Sequence, residues 1–116
     1  MKPRIYHNPR CSKSRAALAL LETRGLEPQV VEYLRAPPSA DTLKGLARKL
    51  GVSARELVRT GEDEFKQLNF NLAGASEDAI IDLVATHPRL LQRPIVEIGD
   101  AARIGRPPER VLELLE

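Results

Sequence analysis

The chain has 116 residues, enough for one domain with a single core, and its apolar (42%) and charged (29%) fractions exclude a disordered polymer. Aromatic residues make up 3%, so the core is expected to be aliphatic, and a net charge of +2 without an aromatic-interleaved basic face argues against a nucleic-acid partner. No apolar run reaches the roughly 18 residues of a membrane span. Met1-Lys2-Pro3-Arg4 leads into a strand-like segment with no signal core, so a cytoplasmic protein without membrane association is expected.

Arg4-Ile5-Tyr6-His7 reads as a short strand, ended by Asn8-Pro9 because proline removes a donor and restrains its predecessor. From Ser12 to about Arg24 the spacing of Ala17, Leu20 and Leu21 predicts an amphipathic helix stopped at Gly25. Gln29 to Tyr33 reads as a second strand between Pro28 and Pro37-Pro38. The first third is therefore β-α-β, which favours a parallel strand pair.

Ser39 is placed to cap a helix presenting Leu43, Leu46, Ala47 and Leu50, ended at Gly51. Ser53 to Glu56 matches a capping box opening a short helix with Leu57 and Val58. Between Gly61 and Gly74 the pattern supports one helical turn around Phe65 and Leu68 plus a loop, and a helix from Ser76 or Glu77 runs through Ala85 with Ile80, Ile81 and Val84 inward. Arg93 to Gly99 reads as a third strand with Pro94 at its mouth, and Ala102 to Gly105 as a fourth, joined by a turn at Gly99-Asp100. A last helix begins at Pro107-Pro108 and buries Val111, Leu112 and Leu115.

Cys11, the only cysteine, stands at the start of the first predicted helix with Arg10, Lys13, Arg15 and His7 as candidate cations. A thiol reacts as its thiolate, and a helix N-terminus with nearby cations stabilises that anion. The same N–H groups suit an oxyanion. A lone intracellular cysteine is more often an inert small hydrophobe, but polar and cationic flanks at a loop-to-helix junction favour the reactive reading. Ser14 occupies the place of a second cysteine in a C-x-x-C pair, so an adduct at Cys11 needs an external thiol to resolve it. His7 and His87 lie far apart with only Cys11 to join them, and no metal site is expected.

The segments YHNPRCSKSR, YLRAPPS (Tyr33 to Ser39), LVRTGEDEFKQL, HPRLLQRPIV (His87 to Val96) and RIGRPPERVLELL, in this order, resemble the glutaredoxin-linked arsenate reductases. The resemblance implies an α/β thioredoxin-like fold with a four-stranded mixed sheet, as one domain over 1–116 carrying a helical insertion at about 39–91. It implies Cys11 as nucleophile, His7 as a group that tunes it, and Arg59, Arg93 and Arg106 gathered around an oxyanion, with Ser14, Arg15 and Pro94 in support and Arg93-Pro94 in cis. Guanidinium groups suit tetrahedral oxyanions in kind. Arsenate, glutathione as co-substrate and a glutaredoxin partner are expected, with no bound cofactor and a monomeric chain. Two other readings keep the fold: a glutathione-dependent thiol-disulfide oxidoreductase, and an Spx-like RNA polymerase-binding regulator, against whose usual C-x-x-C switch Ser14 argues.

Overall fold

The computed structural model describes residues 2–116, leaving Met1 outside the described residues. Contacts fall into two compact units, one made of the chain up to Ala36 together with Arg93–Glu116, the other of Pro37–Gln92. In the first unit, strands β1 (Arg4–His7) and β2 (Gln29–Glu32) are joined through helix α1 (Ser12–Thr23), and β3 (Ile95–Ile98) and β4 (Ala101–Ile104) form a hairpin. The hairpin turns at Gly99, whose φ of +60° is available to glycine at little cost. Together the strands form the mixed four-stranded sheet expected, in the order β2-β1-β3-β4.

Central β1 runs parallel to β2, with Ile5 opposite Val30, and antiparallel to β3, with Ile5 opposite Val96. β2 is an edge strand, and Val30 is exposed there. Ile5, Ala17, Leu21, Val96 and Val111 form a fully buried cluster in this unit, bordered by Leu18, Leu26, Ile98 and Leu114. Burying an aliphatic side chain of this kind contributes about 1.5–3 kcal/mol. The C-terminal segment Pro108–Leu115 is a 3-10 helix. It buries Val111, while Leu112 is half-buried and Leu115 is exposed, a narrower contact than the sequence pattern suggests.

Helix α1 turns Ala17 and Leu21 inward as their spacing predicts, with Ser14 rather than Leu20 completing the buried stripe. Its buried residues are Ser14, Ala17 and Leu21, and Leu20 is only half-buried. The reason is polar: the Ser14 hydroxyl is held by two hydrogen bonds to the end of β1 and its following turn, and this fixes the face that the helix presents.

In the second unit, α2 (Ala40–Leu50) packs with α4 (Glu77–Thr86), and α3 (Asp63–Leu68) supplies the helical turn expected around Phe65. Ser39 caps α2 by accepting from the Thr42 N–H, and Ser76 caps α4 by accepting from the Ala79 N–H. The capping box expected at Ser53 does not form. Ala54 to Leu57 is a 3-10 turn without a side-chain cap, and the Ala54 N–H donates to the Glu77 carboxylate at 2.9 Å. The Glu56 N–H, which the motif would bind to the Ser53 hydroxyl, donates instead to the Ser53 carbonyl at 3.0 Å. No helix among the described residues is long and apolar enough to cross a membrane.

Gly105 closes the first unit where there is no space for a side chain. Its N–H donates to the Pro94 carbonyl at 2.8 Å, and an added Cβ would lie 2.8 Å from the Pro94 ring and 3.2 Å from Val111. Gly105→Ala is therefore expected to destabilise the protein by about 1–3 kcal/mol in urea unfolding. Gly45→Ala, in the middle of α2 with open space around it, is expected to stabilise it by about 0.5–1 kcal/mol. Equal effects at the two positions would refute this reading of the packing.

Candidate active site

β1 delivers the chain to a tight turn. The Cys11 N–H donates to the Asn8 carbonyl at 3.0 Å, the Arg10 N–H to the Asn8 side-chain oxygen at 3.0 Å, and the Arg15 guanidinium to the Pro9 carbonyl at 2.8 Å. These bonds set Cys11 at the N-cap of α1 in extended backbone geometry, and the Arg15 N–H closes the first helical turn on the Cys11 carbonyl. Serine, threonine, aspartate or asparagine usually occupies such a position and offers an oxygen to the free N–H groups. Here the acceptor is sulfur.

No side-chain cap bond of full geometry is present, yet the N–H groups of Lys13 and Ser14 face the half-buried sulfur and favour its anion. Burial works against ionisation and is the largest single influence on the thiol. The two N–H groups and the Arg93 guanidinium, by its charge and as a hydrogen-bond donor, together outweigh it and hold the thiol below its ordinary range. The cation that reaches the sulfur thus comes from the mouth of β3. Of the local candidates, Arg15 is committed to the turn and the side chains of Arg10 and Lys13 are exposed.

His7 also departs from the role of a cation. It is buried, and its Nδ1 lies 2.6 Å from Ser14 Oγ, which accepts the Asn8 N–H at 3.0 Å. With that N–H already donating to Oγ, the hydroxyl proton is assigned to Nδ1 and the ring proton to Nε2. Burial lowers the His7 pKa against the pull of Glu32, and Arg15 lowers it further, so the ring is neutral at working pH. Its connection with Cys11 runs through Ser14, whose side chain binds His7 and whose backbone N–H faces the sulfur. Ser14, read from the sequence as the absence of a second thiol, is the buried junction of the loop.

Arg106 is brought to Arg93, donating from Nε to the Arg93 carbonyl at 2.9 Å, and the Arg93-Pro94 bond is cis. Arg106-Pro107 is also cis, which the sequence did not suggest. Arg59 belongs to the second unit, where its N–H donates to the Leu90 carbonyl at 2.7 Å and its side chain pairs with Glu62 at 3.7 Å. Sequence reasoning gave no role to Asn8 or Tyr33. Tyr33 ends the β2 segment fully buried, with Asn8, Arg93 and Cys11 around its hydroxyl. An apolar ring with a polar tip directly after a strand was its only signal.

Two measurements check these electrostatics. Arg93→Ala is expected to raise the titration midpoint of Cys11 and to slow its alkylation by iodoacetamide about three- to tenfold at a pH below that midpoint. An unchanged profile would remove Arg93 from the thiolate's surroundings. Because the His7 pKa is depressed on folding, the neutral ring stabilises the fold above the ordinary value of about 6.5, and this contribution is lost as pH falls through the lower folded value. The melting temperature is expected to fall over that range and to fall less in His7→Gln; equal slopes for the two proteins would contradict it.

Residues 6–114 match the model of the ArsC family. A protein of Haemophilus influenzae named arsenate reductase is 46% identical over 112 residues, covering 96% of this chain and 97% of that one. An Escherichia coli protein described as uncharacterized, YfgD, is 53% identical over 113 residues, covering 97% of this chain and 95% of that one. The solved arsenate reductase of Vibrio cholerae superposes with a TM-score of 0.93 at 49% identity, covering 97% of each chain. With a match spanning nearly its whole length and relatives of this similarity, the chain belongs to the ArsC family and has its thioredoxin-like fold.

Proposed function

We propose that this protein is an arsenate reductase that uses the single nucleophile Cys11, with glutathione and a glutaredoxin as reductants, and that it acts in the cytoplasm as a monomer without a resident cofactor. The observation that carries the reading is the sulfur at the N-cap of α1, faced by two backbone N–H groups and by Arg93. These donors favour the thiolate and suit an oxyanion beside it, which is the pairing that thiolate attack on an oxyanion requires. The names of its relatives support arsenate as that oxyanion.

The thiolate attacks arsenic(V), forming an S–As bond while one As–O bond breaks and its oxygen leaves, protonated, as water. Arg93 and Arg106 are assigned to the charge on the remaining oxygens. The glutathione thiol forms a second S–As bond and displaces another oxygen as water; the glutaredoxin thiolate then attacks the glutathione sulfur, which leaves as a mixed disulfide, and the electron pair of the broken S–As bond stays on arsenic and reduces it to the trivalent state. Hydrolysis releases arsenite and returns the Cys11 thiolate. Over the cycle two thiols become one disulfide, arsenate loses one oxygen as water, and the enzyme is unchanged.

Arsenate-dependent NADPH consumption with glutathione, glutaredoxin and glutathione reductase tests this directly. Turnover is expected with the wild-type protein and none with Cys11→Ser, while the serine variant keeps the fold because serine is a good N-cap. A folded wild-type protein that does not turn over arsenate, but reduces glutathione mixed disulfides, would replace this reading with that of a disulfide oxidoreductase.

A further inference from the structure

The Tyr33 hydroxyl is a polar atom of the first unit that neither the fold nor the reaction scheme explains. Tyr33 is fully buried, and its hydroxyl meets no hydrogen-bond partner in acceptable geometry among the described residues. A phenylalanine would fill the same volume without burying an unpaired hydroxyl, which is unfavourable in a fold. The groups around this hydroxyl all belong to the site: the Arg93 guanidinium, the Asn8 side chain and the Cys11 sulfur.

Of these, only Arg93 carries the rigid fork of donors that a phenol oxygen can accept, and it is the same guanidinium that favours the thiolate. We propose that Tyr33 is a positioning residue, its buried phenol oxygen being the acceptor on which Arg93 closes and by which it is held against the Cys11 sulfur. Catalytic hydrogen bonds that are misaligned at rest tighten when charge appears. Ionisation of Cys11 draws the guanidinium toward the sulfur, and the phenol oxygen limits the orientations it adopts there. The phenol stays neutral, since burial pushes its pKa up more strongly than Arg93 and Asn8 pull it down, and the nearby sulfur anion pushes it up further. The other charged groups of the loop do not compete for this role: His7 is neutral and bonded to Ser14, Arg15 is bonded to the Pro9 carbonyl, and the side chains of Arg10 and Lys13 are exposed.

The proposal rests on the assignment of Arg93 to the Cys11 thiolate and is tested without arsenate. The rate of Cys11 alkylation by iodoacetamide is followed against pH in the wild-type protein, Tyr33→Phe, Arg93→Ala and the double variant, with a thermal melt of each. Tyr33→Phe is expected to melt no lower than the wild type, yet to alkylate at least about threefold more slowly below the midpoint. In the Arg93→Ala background, adding Tyr33→Phe is expected to change nothing further, because the group it positions is gone. A rate within threefold of wild type in Tyr33→Phe, or the same fractional loss with and without Arg93, would overturn the proposal. So would a lower melting temperature accompanied by an unchanged pH profile, the result of a purely structural role. Arsenate turnover of the wild type is measured alongside. Its absence would sink the proposed function and leave this cycle of variants intact, whereas turnover with no effect at Tyr33 would do the reverse.

Discussion

A sulfur atom occupies the capping position of α1, and the rest of the first unit is arranged around that substitution. An oxygen-bearing cap satisfies the free N–H groups of a helix in its neutral state; a neutral thiol is a weak acceptor and does so poorly. The Lys13 and Ser14 N–H groups therefore gain most when Cys11 ionises. Capping and ionisation become one event. Because the thiol pKa is depressed on folding, the stabilisation is present above the unfolded value and is lost as pH falls through the folded one. A Ser→Ala change at a helix cap costs about 0.5–2 kcal/mol, which sets the scale of what the anion restores.

The turn that places the sulfur is built without charge. Asn8 and Pro9 carbonyls, the Ser14 hydroxyl and a neutral His7 hold its shape, the Arg15 guanidinium from α1 is bonded to the Pro9 carbonyl, and the Arg10 side chain is exposed. Permanent positive charge arrives with Arg93 at the entry to β3, and Arg106 is anchored on the Arg93 carbonyl. Sheet order explains how. β3 pairs directly with β1, so the residues at the mouth of β3 come to the end of β1, where the cysteine turn begins. The antiparallel pairing of the two strands thus carries a distant arginine to the thiol, and Gly105, bonded to Pro94 with no room for a methyl group, secures the same corner.

What the sequence revealed follows the range of the interactions. β1, α1 and the caps at Ser39 and Ser76 depend on neighbours within a few residues, and each stands where the pattern placed it. The capping box at Ser53 was a sound local motif, but the Glu56 N–H it would bind donates instead to the Ser53 backbone carbonyl within a 3-10 turn, and the Ala54 N–H is taken by Glu77, twenty-three residues on. Leu20 gave up the inward face of α1 to Ser14 because two hydrogen bonds across the turn outweigh the preference of one leucine. Cys11 could be picked out from its flanks alone. Its effective cation could not, since Arg10, Lys13 and Arg15 are nearer in sequence and only sheet pairing brings Arg93 to it.

The choice of cation also fits a chain with one cysteine. In the proposed scheme, with Cys11 the only cysteine of the sequence, its sulfur has to attack and later depart without a second thiol to assist. Both steps use the anion: the thiolate is the attacking species, and a sulfur of low pKa is the better leaving group. Intrinsic nucleophilicity falls as pKa falls, so lowering the pKa far beyond working pH would help departure at the expense of attack. The site opposes its two N–H groups and one guanidinium with burial of the thiol, and the net effect is a lowered pKa. Arginine keeps its charge at every pH the protein meets, while the nearby histidine is held neutral by burial. The permanent charge that favours the Cys11 anion is therefore set by the placement of one side chain, Arg93.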